Sequence, residues 1–136
     1  MKASGMAIEH KVGNLSRHIG QVTEEWREGY CKLTVELSEQ HINRSGAVDG
    51  GVFAILIDSA AAYAGTFAKT GEPRNDCATI SMNVNFAGQP SGKRLVAEGH
   101  VRRSGKRIFF ASCTVTDEDG TLCAFGDCTF RIFSPR

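Results

Sequence analysis

A single carboxylate inside an apolar stretch is the feature of this sequence best suited to chemistry. Asp58 is the only charged residue between positions 50 and 68, where most other side chains are apolar. An ionised carboxylate is costly to bury unless it is paired or hydrogen-bonded. Asp58 can be a structural residue bonded to a backbone donor or to a hydroxyl such as Ser59 or Tyr63. It can equally be a nucleophile or general base in a dry cleft, because buried carboxylates without a task are uncommon.

Two glycines open the same apolar segment. Gly50 and Gly51 allow another group to approach the backbone closely, and the free N–H groups at a helix start suit an oxyanion. An ordinary transition from loop to helix explains the pair as well. Asp58 lies on the same helix face as Gly51 but roughly 10 Å further along the axis, too far for both to act on one carbonyl. A two-fold dimer with antiparallel helices side by side would bring Gly51 of one copy to Asp58 of the other.

The elements that must position these residues are one long helix and six strands. Residues 50–69 leave almost no polar stripe, which predicts a helix buried on every side, and Asp49 stands where an N-cap belongs. Alternation of apolar and polar residues predicts strands at 20–26, 31–37, 78–86, 95–101, 108–116 and 122–133. The short turns between the later strands favour antiparallel pairing. We therefore expect an α+β fold in which a curved antiparallel sheet wraps one buried central helix, with a second copy covering the rest of that helix.

Composition limits the classes of function. The length of 136 residues suits one domain, and the 16 basic and 15 acidic residues argue against a dedicated nucleic-acid surface or a membrane-adhering face. The five cysteines form neither a CxxC pair nor a metal-ligand spacing, so we expect no disulfide and no zinc site. Without a secretory leader or a bilayer-spanning apolar run, the expected location is the cytoplasm.

The segment HINRSGAVDGG at residues 41–51, together with Asp58 seven positions later, resembles a known family. It is similar to the hotdog-fold thioesterases, and within the 4-hydroxybenzoyl-CoA thioesterase superfamily to the phenylacetic-acid-degradation type. The resemblance runs from about residue 16 to residue 133 and includes the order of the strands. It implies one hotdog domain over residues 1–136, with residues 1–15 as an N-terminal arm. It also implies an acyl-CoA substrate, no metal or redox cofactor, and a homodimer or homotetramer with active sites at the dimer interface.

The resemblance also implies a role for each matched residue. Asp58 matches the catalytic carboxylate, which attacks the thioester carbonyl or activates water. Gly51 matches the glycine whose N–H polarises that carbonyl. Asn43 matches an asparagine that positions the water or the substrate from the other subunit, and Thr79 matches a serine or threonine that hydrogen-bonds near the attacking water. The expected reaction is hydrolysis of an aryl- or medium-chain acyl-CoA to the free acid and CoA.

One position departs from the family pattern. The family usually has histidine before the two glycines, and this chain has Asp49. A histidine there can donate to the thioester carbonyl, whereas an ionised aspartate can only accept. A helix cap is the favoured interpretation, since aspartate suits that position and complements the helix dipole. The alternative is a second active-site carboxylate. In either case Asp49 and Gly50 are expected to lie beside the bound substrate.

A basic hairpin and two histidines complete the candidates. The run RRSGKR at residues 102–107 is usually a solvated turn, but the phosphate groups of CoA would suit such cations. Arg102, Arg103 and Lys106 are therefore predicted to bind the substrate's phosphates. His41 and His100 are assigned no catalytic role.

Two other functions stay open at this stage. The missing motif histidine gives some weight to a non-catalytic acyl-CoA-binding hotdog protein. A hotdog hydratase is less favoured, because such enzymes usually bring a catalytic histidine and the central helix contains none.

Overall fold

The computed structural model describes residues 8, 10–69, 72 and 74–133, and its elements follow the predicted order. A short helix at Asn14–His18 and a 3₁₀ turn at Glu39–His41 add to the predicted set. Residues 1–7 and 9 of the predicted N-terminal arm lie outside the described residues. The elements are α1 (Asn14–His18), β1 (Val22–Arg27), β2 (Tyr30–Glu36), the 3₁₀ turn (Glu39–His41), α2 (Gly50–Gly65), β3 (Asp76–Phe86), β4 (Arg94–Ser104), β5 (Ile108–Asp117) and β6 (Leu122–Phe133).

Six strands form one sheet in the order β1-β2-β4-β5-β6-β3, and every neighbouring pair among the described residues is antiparallel. After β2 the chain forms α2, places β3 at the far edge beside β6, and returns to β4 beside β2. Consecutive hairpins then connect β4, β5 and β6. The predicted α+β hotdog architecture, a curved antiparallel sheet around one main helix, is confirmed.

Small residues in the sheet let α2 lie close to it. Cys31, Gly99, Cys113 and Gly126 form one row across β2, β4, β5 and β6. A Cβ on Gly99 would clash with the carbonyl oxygen of Ala60 in the helix. The two cysteines are buried free thiols, and burial raises the pKa of Cys31 to about 12. They therefore fill the core as small apolar groups.

Helix α2 is shorter than predicted, ending at Gly65 instead of near Lys69. Thr66 leaves the helical conformation at φ −122°, and its Oγ1 donates to the carbonyl oxygen of Ala62 over 2.9 Å. The hydroxyl thus takes the place of the Thr66 N–H, which would donate to the Ala62 carbonyl oxygen if the helix continued. Gly65 lies directly against Phe109 of β5, where a Cβ would clash with the ring. The end of the helix is therefore set by contacts with the sheet as well as by local sequence.

Within a single chain α2 is buried on one face only, and the predicted burial on every side was expected to need a second copy. The sheet covers the helix face formed by Phe53, Leu56, Ile57, Ala60, Ala61 and Ala64. The other face is only half-buried and is formed by Ala54, Ile55, Asp58, Ser59, Ala62 and Tyr63. One curved sheet cannot enclose a helix completely. The apolar side chains of this open face are therefore not fully covered within one chain.

Candidate active site

Asp58 lies in the middle of α2 on the half-buried face, and its carboxylate has one clear partner. Thr79 Oγ1 donates a hydrogen bond to Asp58 Oδ1 over 2.6 Å. This length is typical of a hydroxyl bonded to an ionised carboxylate. Thr79 lies on edge strand β3 beside a bulge between residues 79 and 81. Ser59 Oγ instead makes a 3.4 Å contact with Ser16 Oγ, so the hydroxyl that orients Asp58 comes from the sheet.

The start of α2 is capped by Asp49. Its side chain accepts a hydrogen bond from the Gly51 N–H over 3.0 Å, and its carbonyl oxygen accepts from the Val52 N–H over 2.9 Å. Asp49 is therefore the N-cap. Its carboxylate already occupies the Gly51 N–H that the resemblance assigns to the thioester carbonyl. Among the described residues none accepts a hydrogen bond from the Gly50 N–H, which makes Gly50 the free donor at the helix start.

The loop before the helix is a closed turn that orients Asn43. Asn43 Oδ1 accepts hydrogen bonds from the Ser45 N–H at 2.9 Å and the Ala47 N–H at 3.2 Å. The turn reverses at Gly46, whose φ of +86° favours glycine. With its oxygen engaged in the loop, Asn43 presents its Nδ2 group as a donor. A donor here can bind a water oxygen or a carbonyl oxygen.

The two histidines considered in the sequence have structural contacts. His41 is 1% exposed, and its Nδ1 accepts from the Ser38 N–H over 2.9 Å. The other ring nitrogen, Nε2, must then be the protonated one, and it donates to the Ile19 carbonyl oxygen over 2.7 Å. His100 is exposed, with its ring centroid 4.9 Å from that of Tyr30. Neither histidine forms a hydrogen bond or ring contact with Asp58 or Thr79.

Two aromatic side chains near the site have different surroundings. Tyr63 packs against Trp26 with ring centroids 5.4 Å apart, and Trp26 Nε1 donates to the Tyr63 carbonyl oxygen over 2.7 Å. The Arg74 guanidinium lies 5.8 Å from the Tyr63 ring. Phe86 is 59% exposed instead, and a Cβ built on Gly50 would lie 3.3 Å from its ring. Phe86 therefore presents open apolar surface beside the free Gly50 N–H.

The structure divides the predicted phosphate-binding residues between two grooves. Arg102 and Arg103 line a groove of about 540 Å³ that also contains Asp127. Lys106 lies in a second groove, of about 470 Å³, beside Arg107 and Arg131. The side chains that line the second groove include these three cations and no carboxylate. Its Arg131 was not predicted, because the residue lies on a different strand, far from the hairpin in sequence.

Within residues 8, 10–69, 72 and 74–133, no group of three or more His, Cys, Asp or Glu side chains is arranged to bind a metal ion. The same residues include no helix with the length and apolar content needed to cross a membrane.

Comparison with known proteins identifies the family. Residues 45–124, which include the capped helix and Thr79, match the sequence model of the Thioesterase superfamily. The chain belongs to this family. Acyl-coenzyme A thioesterase 13 of Mus musculus is 33% identical over 98 residues, covering 71% of this chain and 66% of the mouse protein. A crystal structure of a thioesterase-superfamily protein is 31% identical, with a TM-score of 0.77, and the match covers 89% of this chain and 90% of that one.

The E. coli PaaI protein from the phenylacetic acid degradation operon has the same fold. It is 18% identical, with a TM-score of 0.77, and the match covers 89% of this chain and 85% of that one. At this identity the likeness shows the fold alone. Family membership and the named acyl-CoA thioesterase relatives place this chain among the thioester hydrolases.

The predicted site residues form two groups on α2. Asp58 and Thr79 are in contact at the middle of the helix. Asp49, Gly50 and Gly51 lie at its start, and Asn43 lies in the loop that leads into it. The two groups are separated by about 10 Å along the helix axis.

Proposed function

We propose that this protein hydrolyses the thioester of an aryl- or medium-chain acyl-CoA to the free acid and CoA. The observation that supports this most directly is the 2.6 Å hydrogen bond from Thr79 Oγ1 to Asp58 Oδ1 on the open face of α2. The bond fixes one carboxylate oxygen and leaves the other available to a water or a carbonyl carbon. Asp58 is then either the general base or the nucleophile.

The proposed active site is shared between two copies of the chain. Strand β3 is one of the two edge strands of the sheet, and most of its residues are exposed. Its apolar members Ile80, Met82 and Phe86 are 57%, 39% and 59% exposed. A long edge with unpaired backbone groups and apolar side chains is a template for pairing with another strand. Pairing of two β3 edges about a two-fold axis would also cover the open faces of both helices.

In such a dimer each carboxylate acts with the helix start of the partner. The free N–H of Gly50 donates to the thioester oxygen as it gains negative charge, and the positive end of the helix dipole assists. Asn43 donates from Nδ2 to the water or to the same oxygen. Thr79 keeps Asp58 oriented toward the carbonyl carbon. The Gly51 N–H can take the role of Gly50 only if Asp49 releases it, because the two are hydrogen-bonded at 3.0 Å.

The CoA phosphates have two candidate sites on the surface. Lys106 shares a groove with Arg107 and Arg131, whose guanidinium groups suit phosphate through paired N–H donors. Arg102 and Arg103 share theirs with Asp127, whose negative charge opposes an anion. We therefore favour the groove of Lys106 for the phosphates. Alanine at Lys106 and Arg131 should raise KM for acyl-CoA more than alanine at Arg102 and Arg103 does.

The test of the proposed function is release of free thiol from a panel of aryl- and aliphatic acyl-CoAs. Wild-type protein is compared with Asp58→Asn, and with Asp119→Asn as a matched change in the exposed turn between β5 and β6. We expect turnover by wild type and Asp119→Asn, and a loss of at least about 100-fold in Asp58→Asn. Equal rates for all three would contradict the assignment. Binding of acyl-CoA without turnover by wild type would instead indicate the non-catalytic binding protein, to which the departure at Asp49 gives some weight.

A further inference from the structure

The side chain of Gln89, outside the family motif, binds the loop that leads into α2. The Val48 N–H donates to Gln89 Oε1 over 2.7 Å, and Gln89 Nε2 donates to the Val48 carbonyl oxygen over 3.3 Å. On its other edge Val48 forms an isolated antiparallel bridge with Ile42. Val48 is 4% exposed, and Gln89 engages both of its backbone polar groups. The bridge to Ile42 is formed by the adjacent residues, with the Asp49 N–H donating to the His41 carbonyl oxygen and the Asn43 N–H to the Ala47 carbonyl oxygen.

These bonds fix the backbone just before the free amide of Gly50. The Val48 carbonyl belongs to the same peptide unit as the Asp49 N–H, which donates to the His41 carbonyl oxygen over 2.8 Å. The next peptide unit contains the Gly50 N–H. Because peptide units are planar, only the φ and ψ of Asp49, −61° and 131°, separate the fixed unit from the free donor. The direction of the Gly50 N–H therefore depends on how well Val48 is held.

Gln89 is itself attached to a fixed part of the sheet. It lies in the loop between β3 and β4, where the Ala87 and Gly88 N–H groups donate to one carbonyl oxygen in β6 at 2.8 and 3.1 Å. On its other side the Ser91 and Gly92 N–H groups donate to Asp117 Oδ2 at 2.8 and 3.0 Å. The loop is thus bonded to the sheet on both sides of Gln89. A fixed loop can transmit the position of the sheet to the start of α2.

We propose that Gln89 is a positioning residue for the thioesterase reaction, acting through Val48 and Asp49 on the direction of the Gly50 N–H. The inference rests on the proposed function and deepens it. A primary amide can accept from one backbone N–H and donate to the adjacent carbonyl oxygen at the same time, which a carboxylate or a thioether cannot do. Gln89 acts only through the loop in this proposal. Its contribution arises because an oxyanion donor must be aligned with the oxygen of the transition state.

The experiment compares Gln89→Met and Gln89→Glu with Gln40→Met in the full chain. Methionine preserves length and removes both hydrogen bonds, and glutamate keeps the acceptor but cannot donate to the Val48 carbonyl. Gln40 is an exposed glutamine in the nearby 3₁₀ turn, and its side chain makes no hydrogen bond with the described residues. We expect kcat to fall about 10-fold in Gln89→Met, with KM within about 2-fold of wild type. Gln89→Glu should give an intermediate kcat, and Gln40→Met should match wild type.

A second readout separates failure of this inference from failure of the proposed function. Amide hydrogen exchange of residues 45–53 should become at least about 5-fold faster in Gln89→Met and stay unchanged in Gln40→Met, with melting temperatures within about 5 °C of wild type. Unchanged exchange in Gln89→Met would overturn the inference whatever the enzyme does. So would faster exchange with an unchanged kcat. A wild-type protein without thioesterase activity would overturn the proposed function, and the positioning role in that reaction with it, while exchange still shows whether Gln89 holds the loop.

Discussion

Replacing Thr79 with valine tests the central contact of the proposed site. Valine has nearly the shape of threonine and is equally suited to a strand, so the fold of β3 should persist. What the change removes is the hydroxyl that donates to Asp58 Oδ1 over 2.6 Å. Asp58 would then be free to rotate away from the productive orientation. Thr79→Ser is the matched control, because it keeps the hydroxyl and loses only a methyl group.

The size of the effect follows from the type of bond. A hydrogen bond to a charged group contributes about 1.5 to 3 kcal/mol. Thr79 is exposed in a single chain, where water competes for the carboxylate, so the lower figure applies. A loss of about 1.5 kcal/mol from the transition state corresponds to roughly a 10-fold decrease in kcat. Thr79→Ser should stay within about 3-fold of wild type.

The assay is thiol release under saturating acyl-CoA, with KM and melting temperature measured on the same preparations. We expect kcat to fall in Thr79→Val while KM and the melting temperature change little, since the hydroxyl orients a catalytic group and binds no remote part of the substrate. A Thr79→Val enzyme with wild-type kcat would refute the role of this hydrogen bond. Equal losses in Thr79→Val and Thr79→Ser would attribute the effect to packing.

Acid stability, thiol reactivity and helix packing provide three further tests. Burial raises the pKa of Asp117, but hydrogen bonds from backbone N–H groups outweigh burial and hold that pKa below its ordinary value. Its stabilising effect is therefore complete above about pH 4 and is lost as pH falls further. Asp117→Asn should lower the melting temperature at pH 7 and flatten its decline in acid, and identical pH curves by calorimetry would contradict this. Burial and the charge of Asp58 raise the pKa of Cys77 to about 11. Asp58→Asn should shift its alkylation to lower pH by mass spectrometry, and an unshifted profile would argue against a charge beside the thiol. Gly99→Ala would clash with a carbonyl oxygen of α2 and should lower the melting temperature by at least about 4 °C. Gly13→Ala meets nothing within 4 Å and should be neutral; equal melting temperatures for the two would contradict the close packing of α2 on β4.

The fold could be predicted because its helix and strands follow from patterns of neighbouring residues in the sequence. Alternation of apolar and polar residues located all six strands, and the apolar run located the helix. The end of α2 could not be predicted, because Gly65 packs against Phe109, a residue far away in sequence. An uncovered face on the helix could be predicted, since the apolar pattern indicates burial on every side and a single sheet can cover only one side.

The site divides in the same way between local and distant contacts. The cap at Asp49 involves a neighbour two residues away, so residue type and position indicated it. Asn43 was named only through family resemblance, although its hydrogen-bond partners also lie within four residues. The partner of Asp58 lies 21 residues away and was named only through family resemblance. Gln89 binds a residue 41 positions away and lies outside the motif. No pattern in a single sequence distinguishes it from other polar loop residues.

Asp49 has two opposing effects at the start of α2, and a neutral cap would separate them. Its carboxylate satisfies the Gly51 N–H and complements the helix dipole, which stabilises the helix. The same negative charge opposes the charge that develops on a thioester oxygen at the neighbouring Gly50 N–H. For charges ~6 Å apart in water the repulsion is about 0.7 kcal/mol, or roughly 3-fold in rate. Asp49→Ser keeps a capping oxygen without the charge, so we expect a similar melting temperature and a kcat about 3-fold higher. A marked fall in kcat with the melting temperature unchanged would mean that the carboxylate itself takes part in the reaction.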